Sequence, residues 1–262
     1  MSIKLIALDL DNTLVTKTTD FSKADLAAIE KARDAGIYVC LASGRAYRSL
    51  KVFLDRLNMD TYSISTGGAI ISDKNNKRLY TKFVEPKTAA EIIRFAYTGG
   101  YYAQVYYNDD FCFYREGKES ALYEEATGVP GVLDETLPER ETIETAKILF
   151  IDTPERIEAL IPIVESRFSH IKALRSFPHY LEINHEDCGK GSALKALGEM
   201  LGIKQEEMMA IGDSEIDISM IEYAGIGVAM GNSSEHIKAV ADYVTDDVLE
   251  SGVAKAIEKF CF

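Results

Sequence analysis

The chain has 262 residues, of which 47% are hydrophobic and 27% charged, so it can build one large α/β domain or two smaller ones around a real core. Its formal net charge of -13 argues against non-specific nucleic-acid or anionic-membrane binding, which needs a basic surface. Small phosphorylated molecules stay open as ligands, because a local cation or a metal can outweigh the global sign.

The first predicted element is an apolar strand within Ile-Lys-Leu-Ile-Ala-Leu-Asp-Leu-Asp-Asn-Thr-Leu-Val, residues 3–15, which ends in two carboxylates, Asp9 and Asp11, and a hydroxyl, Thr13. Burying an unpaired carboxylate costs several kcal/mol, so this strand end requires a cation, hydrogen bonds or water. If the strand stays extended through Asp11, period two places Asp9 and Asp11 on one side. Ser22-x-x-Asp25 then starts a helix with Leu26, Ile29, Ala32 and Ala35 on one face and Gly36 as its stop. Ile37 to Ala42 is a second strand, followed by Ser43-Gly44-Arg45. Another helix leads to a strand at Tyr62 to Ser65 and then Thr66-Gly67-Gly68.

The middle of the chain differs. From Phe83 to Asn184 it holds 8 of the 14 Tyr and 7 of the 11 Phe, and strands adjoin without intervening helices. Tyr101 to Tyr107 and Phe111 to Arg115 flank Asn108-Asp109-Asp110, a hairpin turn signal. His170 to Phe177 and Tyr180 to Asn184 flank Pro178-His179. Helices near Pro86 to Tyr97, Lys118 to Thr127 and Pro154 to Phe168 are expected to cover one face of this sheet. This segment reads as an α+β insertion.

The last third resumes the alternation. Gly189-Lys190-Gly191 opens a helix closed by Gly202, and a strand at Met208 to Ile211 runs into Gly212-Asp213-Ser214. A helix from Ile216 to Ala224, a strand from Ile226 to Met230, Gly231-Asn232, a strand near Tyr243 and a C-terminal helix complete the pattern. Strands alternating with amphipathic helices imply a parallel, doubly wound sheet covered on both faces. In such a sheet the carboxyl ends of the strands share one edge, where ligands bind at the switch in strand order. That edge would gather Asp9, Asp11, Asp213 and Asp217. Carboxylates so placed need a compensating cation, and an oxygen-rich donor set suits Mg²⁺ with phosphate oxygens. Ser43 and Lys190 would then supply a hydroxyl and a positive charge to the phosphate.

No apolar run reaches the roughly 20 residues of a membrane span. The apolar stretch after Lys4 is cut off at Asp9 without a cleavage site, so neither a signal peptide nor a membrane partner is expected, and a cytoplasmic location is. Cys40, Cys112, Cys188 and Cys261 are far apart and form no Cys-x-x-Cys pair, which suggests reduced thiols in place of a zinc site or a disulfide framework. The four histidines show no ligand spacing.

The constellation resembles the haloacid dehalogenase-like phosphohydrolases. Their four motifs match Asp9-Leu10-Asp11-Asn12-Thr13, Ser43-Gly44-Arg45, Lys190, and Gly212-Asp213-Ser214-Glu215-Ile216-Asp217, and the insertion is similar to the cap of the Cof-type subfamily. The resemblance implies a Rossmann-like catalytic core from residues 1–82 and 186–262, with an inserted cap at 83–185. It further implies an Mg²⁺-dependent phosphatase of small phosphomonoesters, sugar phosphates foremost. Asp9 is then the nucleophile that forms an aspartyl-phosphate, and Asp11 the acid and base. Mg²⁺ would lie between Asp9, the Asp11 backbone carbonyl and Asp213, with Asp217 bound through water. Leu10, Thr13, Ser43, Gly44 and Lys190 would surround the phosphoryl group, and Arg45 would either reach substrate or pair with a cap acid. A phosphomutase using the same intermediate, or a phosphometabolite-binding protein without turnover, are the alternatives. Three positions depart from the family pattern: Asn12 for glycine, Gly67 for asparagine, and Ile216 for an asparagine that contacts the phosphoryl group or substrate.

Overall fold

The computed structural model describes residues 2–16, 20–107 and 110–262. The chain divides into two compact units, Met1–Thr81 with Gly189–Phe262, and Lys82–Cys188.

In the first unit the chain runs β1 (Leu5–Leu8), α1 (Lys23–Asp34), β2 (Tyr38–Ala42), α2 (Tyr47–Arg56), β3 (Ser63–Ser65), β4 (Ile70–Ser72) and β5 (Arg78–Thr81). The second unit contains α3 (Pro86–Thr98), β6 (Tyr102–Tyr107), β7 (Asp110–Phe113), α4 (Lys118–Thr127), β8 (Val132–Leu133), β9 (Ile148–Ile151), α5 (Pro154–Arg167), β10 (Ile171–Phe177) and β11 (Tyr180–His185). The chain then returns to the first unit with α6 (Lys190–Leu201), β12 (Met208–Gly212), α7 (Ile218–Tyr223), β13 (Ile226–Ala229), α8 (Glu235–Lys238), β14 (Tyr243–Val244) and α9 (Gly252–Cys261).

The first unit's sheet has the order β14-β13-β12-β1-β2-β3-β4-β5. It is parallel from β14 to β3, and β4 and β5 extend it antiparallel. Both faces are covered, as period two requires of a buried parallel sheet. Ile6, Leu8, Val39, Leu41, Met209 and Ile211 meet Ile29 of α1, Leu50 of α2 and Ile257 of α9. Leu5, Ala7, Cys40, Ala42, Met208 and Ala210 meet Leu194 and Leu197 of α6 and Met220 of α7. Each fully buried Leu, Ile or Met side chain contributes about 1.5–3 kcal/mol of transfer free energy. Strand succession leaves β1 toward β2 on one side and returns through β12 on the other, so the switch point lies between β1 and β12.

The second unit's sheet has the order β10-β11-β9-β6-β7-β8 and is antiparallel except for β7 with β8. β6 and β7 form the expected hairpin, with Tyr107 opposite Asp110, while Asn108 and Asp109 of the turn lie outside the described residues. The three helices do not share one sheet face. Helices α3 and α5 pack on Ala103, Val105, Ile148, Phe150, Leu181 and Ile183. On the opposite face Tyr102, Tyr106, Phe111, Phe113, Leu149 and Ile151 receive Tyr123 of α4, whose ring meets Phe111 edge-on at 4.9 Å. Alternating aromatic residues make that second face apolar too, and α4 covers it.

Candidate active site

At the end of β1, the Asp9 N–H donates to the Ile211 carbonyl of β12 at 2.9 Å, which fixes the two strand ends in register. Beyond Asp9 the backbone leaves the sheet. The Leu10 carbonyl accepts from the Leu14 N–H at 2.9 Å and from the Val15 N–H at 3.1 Å, and Asn12 stands in the left-handed region with φ 60°. Asn is one of the few side-chain-bearing residues that enters this region readily, so its replacement of glycine suits the turn. Thr13, fully buried, donates its hydroxyl to Asp213 Oδ1 at 3.3 Å.

β12 ends in Gly212, and a short 3₁₀ turn at Glu215–Asp217 carries the chain into α7. Asp217 closes this loop from inside. Its Oδ2 accepts the Asp213 N–H at 3.1 Å, the Ser214 N–H at 2.9 Å and the Ser214 hydroxyl at 2.7 Å. Its Oδ1 accepts from the Lys190 ammonium. Lys190 reaches this point because α6 begins against α7. A Cβ on Gly191 would fall 2.1 Å from the Ser219 carbonyl oxygen, so only glycine permits the approach. The turn at Thr66–Gly68 packs against the same helix start, where a Cβ on Gly68 would fall 2.2 Å from the Gly189 carbonyl.

Lys190 is wholly buried and lies 2.6 Å from Asp9 Oδ1 while also pairing with Asp217. Asp9, Asp213 and Asp217 each offer a carboxylate oxygen within 4.8 Å of the others. Burial, with Asp217 close by, raises the Asp9 carboxyl well above the ordinary range even though Lys190 pulls it down. Burial and Asp217 likewise push Asp213 up to about 6. For Lys190, burial alone would lower the pKa, but Asp217 and Asp9 outweigh it and hold the ammonium above its usual value. Three carboxylates against this ammonium leave a deficit of positive charge, which the raised carboxyls express as a demand for protons. A divalent cation meets the same demand. The donor set is all oxygen, which suits a hard divalent cation, and Asp9, Asp213 and Asp217 are the residues that could hold one. Asp217 already has both oxygens engaged, so it braces the others or acts through water.

Ser43, at the end of β2, is buried, and its Oγ accepts the Arg45 N–H at 3.2 Å, which leaves its own O–H to donate elsewhere. Gly44 and Leu10 follow β2 and β1 at the same sheet edge. Ile216 presents its δ-carbon 3.4 Å from where a Cβ on Gly44 would be, an apolar contact at the position of a polar family residue.

Two expectations are corrected. Asp11 is not placed by strand alternation, because β1 stops at Leu8 and a turn over residues 12–14 joins Asp11 to Val15. Its carboxylate stands apart from the Asp9, Asp213 and Asp217 cluster. Arg45 clasps it with both arms, Nε to Oδ2 at 2.8 Å and Nη2 to Oδ1 at 2.7 Å. Arg45 therefore pairs with an acid of its own unit and not with one of the insertion. Asn232 is the residue that sequence reasoning passed over: its amide donates to the Asn12 carbonyl at 2.9 Å and accepts the Val248 N–H at 3.0 Å, tying the turn after β1 to the chain beyond β14. Its place after a strand, beside Gly231, was the available signal.

A family model described as haloacid dehalogenase-like hydrolase matches residues 6–257. Phosphatase YwpJ of Bacillus subtilis is 32% identical over 282 residues, covering 96% of this chain and 98% of its own. A crystal structure of a Thermotoga maritima protein superposes with a TM-score of 0.90 at 33% identity, over 98% of this chain and 97% of that one. BT4131, described as a subclass IIB sugar phosphatase of the same superfamily, superposes with a TM-score of 0.80 at 25% identity over 98% of both chains. Agreement of this extent, in sequence and in fold, makes one assignment: the chain belongs to the haloacid dehalogenase-like hydrolases, in the Cof-type subclass IIB group, and is a phosphoric monoester hydrolase.

Proposed function

We propose that this protein is an Mg²⁺-dependent phosphatase of small phosphorylated metabolites, sugar phosphates foremost, acting through an aspartyl-phosphate on Asp9. The observation that carries the reading is the Asp9 carboxylate at the switch point, held 2.6 Å from the buried Lys190 ammonium and clustered with Asp213. A nucleophile must be fixed in place to gain from proximity, and a hydrogen-bonded carboxylate at a strand end is so fixed. The sugar-phosphate class is supported by the printed description of BT4131.

In this reading Asp9 attacks phosphorus and the P–O bond to the alcohol breaks. Asp11 gives a proton to the departing alkoxide, then takes one from the water that cleaves the acyl phosphate. Lys190, the Ser43 hydroxyl and the N–H groups of Leu10 and Gly44 hold the transferring oxygens as charge develops on them. Asp9, Asp213, the Asp11 carbonyl and, through water, Asp217 would hold Mg²⁺, whose charge offsets the repulsion between a carboxylate and a phosphate dianion. Residues 1–82 and 186–262 serve as the catalytic core, and the insertion serves as the cap that selects small substrates. Arg45, engaged with Asp11, is not needed as a substrate ligand.

Asp9→Asn tests the assignment. It should leave the circular dichroism spectrum unchanged and reduce phosphate release from a panel of sugar phosphates with Mg²⁺ to background. Turnover within tenfold of the parent would refute Asp9 as nucleophile. Free inorganic phosphate as the product, in place of an isomerised phosphate ester, separates hydrolysis from group transfer to a second hydroxyl.

A further inference from the structure

The Arg45–Asp11 clasp has a construction beyond a chance ion pair. Both Asp11 oxygens are gripped by one planar guanidinium, the fork geometry that fixes orientation as well as distance. Arg45 is itself held from α2: its third nitrogen, Nη1, donates to Ser49 Oγ at 3.1 Å, and its guanidinium carbon lies 5.0 Å from the Phe53 ring centroid. The Arg45 backbone is set by the N–H bond to Ser43 Oγ and by its carbonyl, which accepts the Thr66 N–H at 2.8 Å. The pair is nevertheless open to solvent, with side chains 36% and 49% exposed. An ion pair so exposed adds little to stability. This much orientation therefore has a different use.

Asp11 needs such a guide. It sits at the start of a turn beyond the last residue of β1, where no sheet hydrogen bond aims its side chain. We infer that Arg45 is a positioning residue for Asp11: held by Ser49 and Phe53, it presents the Asp11 carboxylate at a fixed angle to the leaving oxygen. This rests on the reading of Asp11 as the group that protonates the leaving alcohol. Each carboxylate oxygen has two lone pairs, so a clasped Asp11 can still carry, on a lone pair that Arg45 does not occupy, the proton it gives to the leaving oxygen and later recovers from water. Without Arg45 the carboxylate would sample orientations that miss the leaving oxygen, and misplacement on the scale of an ångström costs up to about 10²-fold in rate.

The test compares two esters in single turnover, enzyme in excess, with Mg²⁺. An alkyl phosphate needs its alkoxide protonated, while p-nitrophenyl phosphate has a leaving group stable without a proton. Arg45→Ala should slow alcohol release from the alkyl ester by ~10–100-fold and p-nitrophenol release by less than about threefold, the general-acid contribution being up to ~10²–10⁴. The enzyme concentration giving half-maximal rate with either ester should stay within about threefold. Arg45→Lys, which keeps the charge but not the fork, should recover only part of the loss. Ser49→Ala should show the same selectivity in weaker form. Equal losses on both esters, or a tenfold rise in half-saturation, would mean that Arg45 contacts the phosphoryl group and would overturn the inference, as would unchanged alkyl-ester rates. Asp11→Asn in the same assay isolates the underlying reading: if it too spares the alkyl ester, the role of Asp11 fails and the inference with it. If Asp11→Asn is ester-selective and Arg45→Ala is not, only the inference fails.

Discussion

The aspartates here differ less in kind than in what surrounds them. Asp217 is satisfied by three donors and an ammonium, Asp11 by a guanidinium, while Asp213 has the Thr13 hydroxyl and a crowd of like charge. Its folded value of about 6 stands above the ordinary 3.8, so between those values the native state binds a proton more tightly than the unfolded chain does. The stabilising contribution is complete below about 3.8 and is lost as pH rises through about 6. Asp9 shifts in the same direction for the same reasons. Asp213→Asn removes this titration. In chelator, the difference in melting temperature between variant and parent should move in the variant's favour as pH goes from 4 to 7. Mg²⁺ at pH 7 should raise the melting temperature of the parent and much less that of the variant, because a ligand bound only to the native state stabilises by mass action. A parent that ignores Mg²⁺ up to millimolar concentration would count against the metal site.

Among elements, α6 is the one whose placement the site depends on, since its first residue bridges the end of β1 and the loop after β12. Lys190→Met keeps an unbranched side chain, one atom shorter, and removes the charge, leaving Asp9 and Asp217 buried without their shared partner. Breaking a buried pair this way costs about 3–5 kcal/mol. Urea unfolding in chelator at pH 7 should show that loss, and a smaller one at pH 5, where protons can take the place of the ammonium. A loss below about 1 kcal/mol at pH 7 would mean the cluster is not held by this bond. The sequence signalled Lys190 through its flanking glycines and its position before a helix, but gave no sign that the ammonium is buried in an ion-pair cluster, because that depends on how closely α6 and α7 approach. Elements of strand and helix period were legible from β1 through α9. Strands β4, β5 and β8 and helix α8 were not, because two to four residues carry too little periodicity. The end of β1 was missed for a related reason: Leu10 continues the apolar run and is buried, yet its carbonyl closes a turn instead of pairing with a neighbouring strand. The face taken by α4 was hidden because the helix has few apolar residues and docks mainly through Tyr123.

At the scale of the whole chain, every carboxylate and cation of the candidate site belongs to the first unit, and the second unit has a core of its own. Val84, Ile92, Ile93, Phe150, Leu160 and Leu181 form one buried layer, and the aromatic face around Tyr102 and Phe111 forms another. The ends of this unit meet each other, since Lys82 lies 3.0 Å from Asp187. A segment whose ends meet can be excised without stretching its fold, and about 100 residues suffice for an independent core. Residues 82–188 expressed alone should therefore show mixed helix–strand circular dichroism and one cooperative urea transition. Its aromatic residues should remain protected, with Tyr102 and Tyr106 excluded from solvent as in the full chain. A broad, non-cooperative loss of signal would show that this core relies on the first unit. A cooperative transition would also bear on the proposed function, because an insertion that folds by itself could be exchanged between relatives, with Asp9 and its neighbours unchanged, to test whether it sets substrate choice.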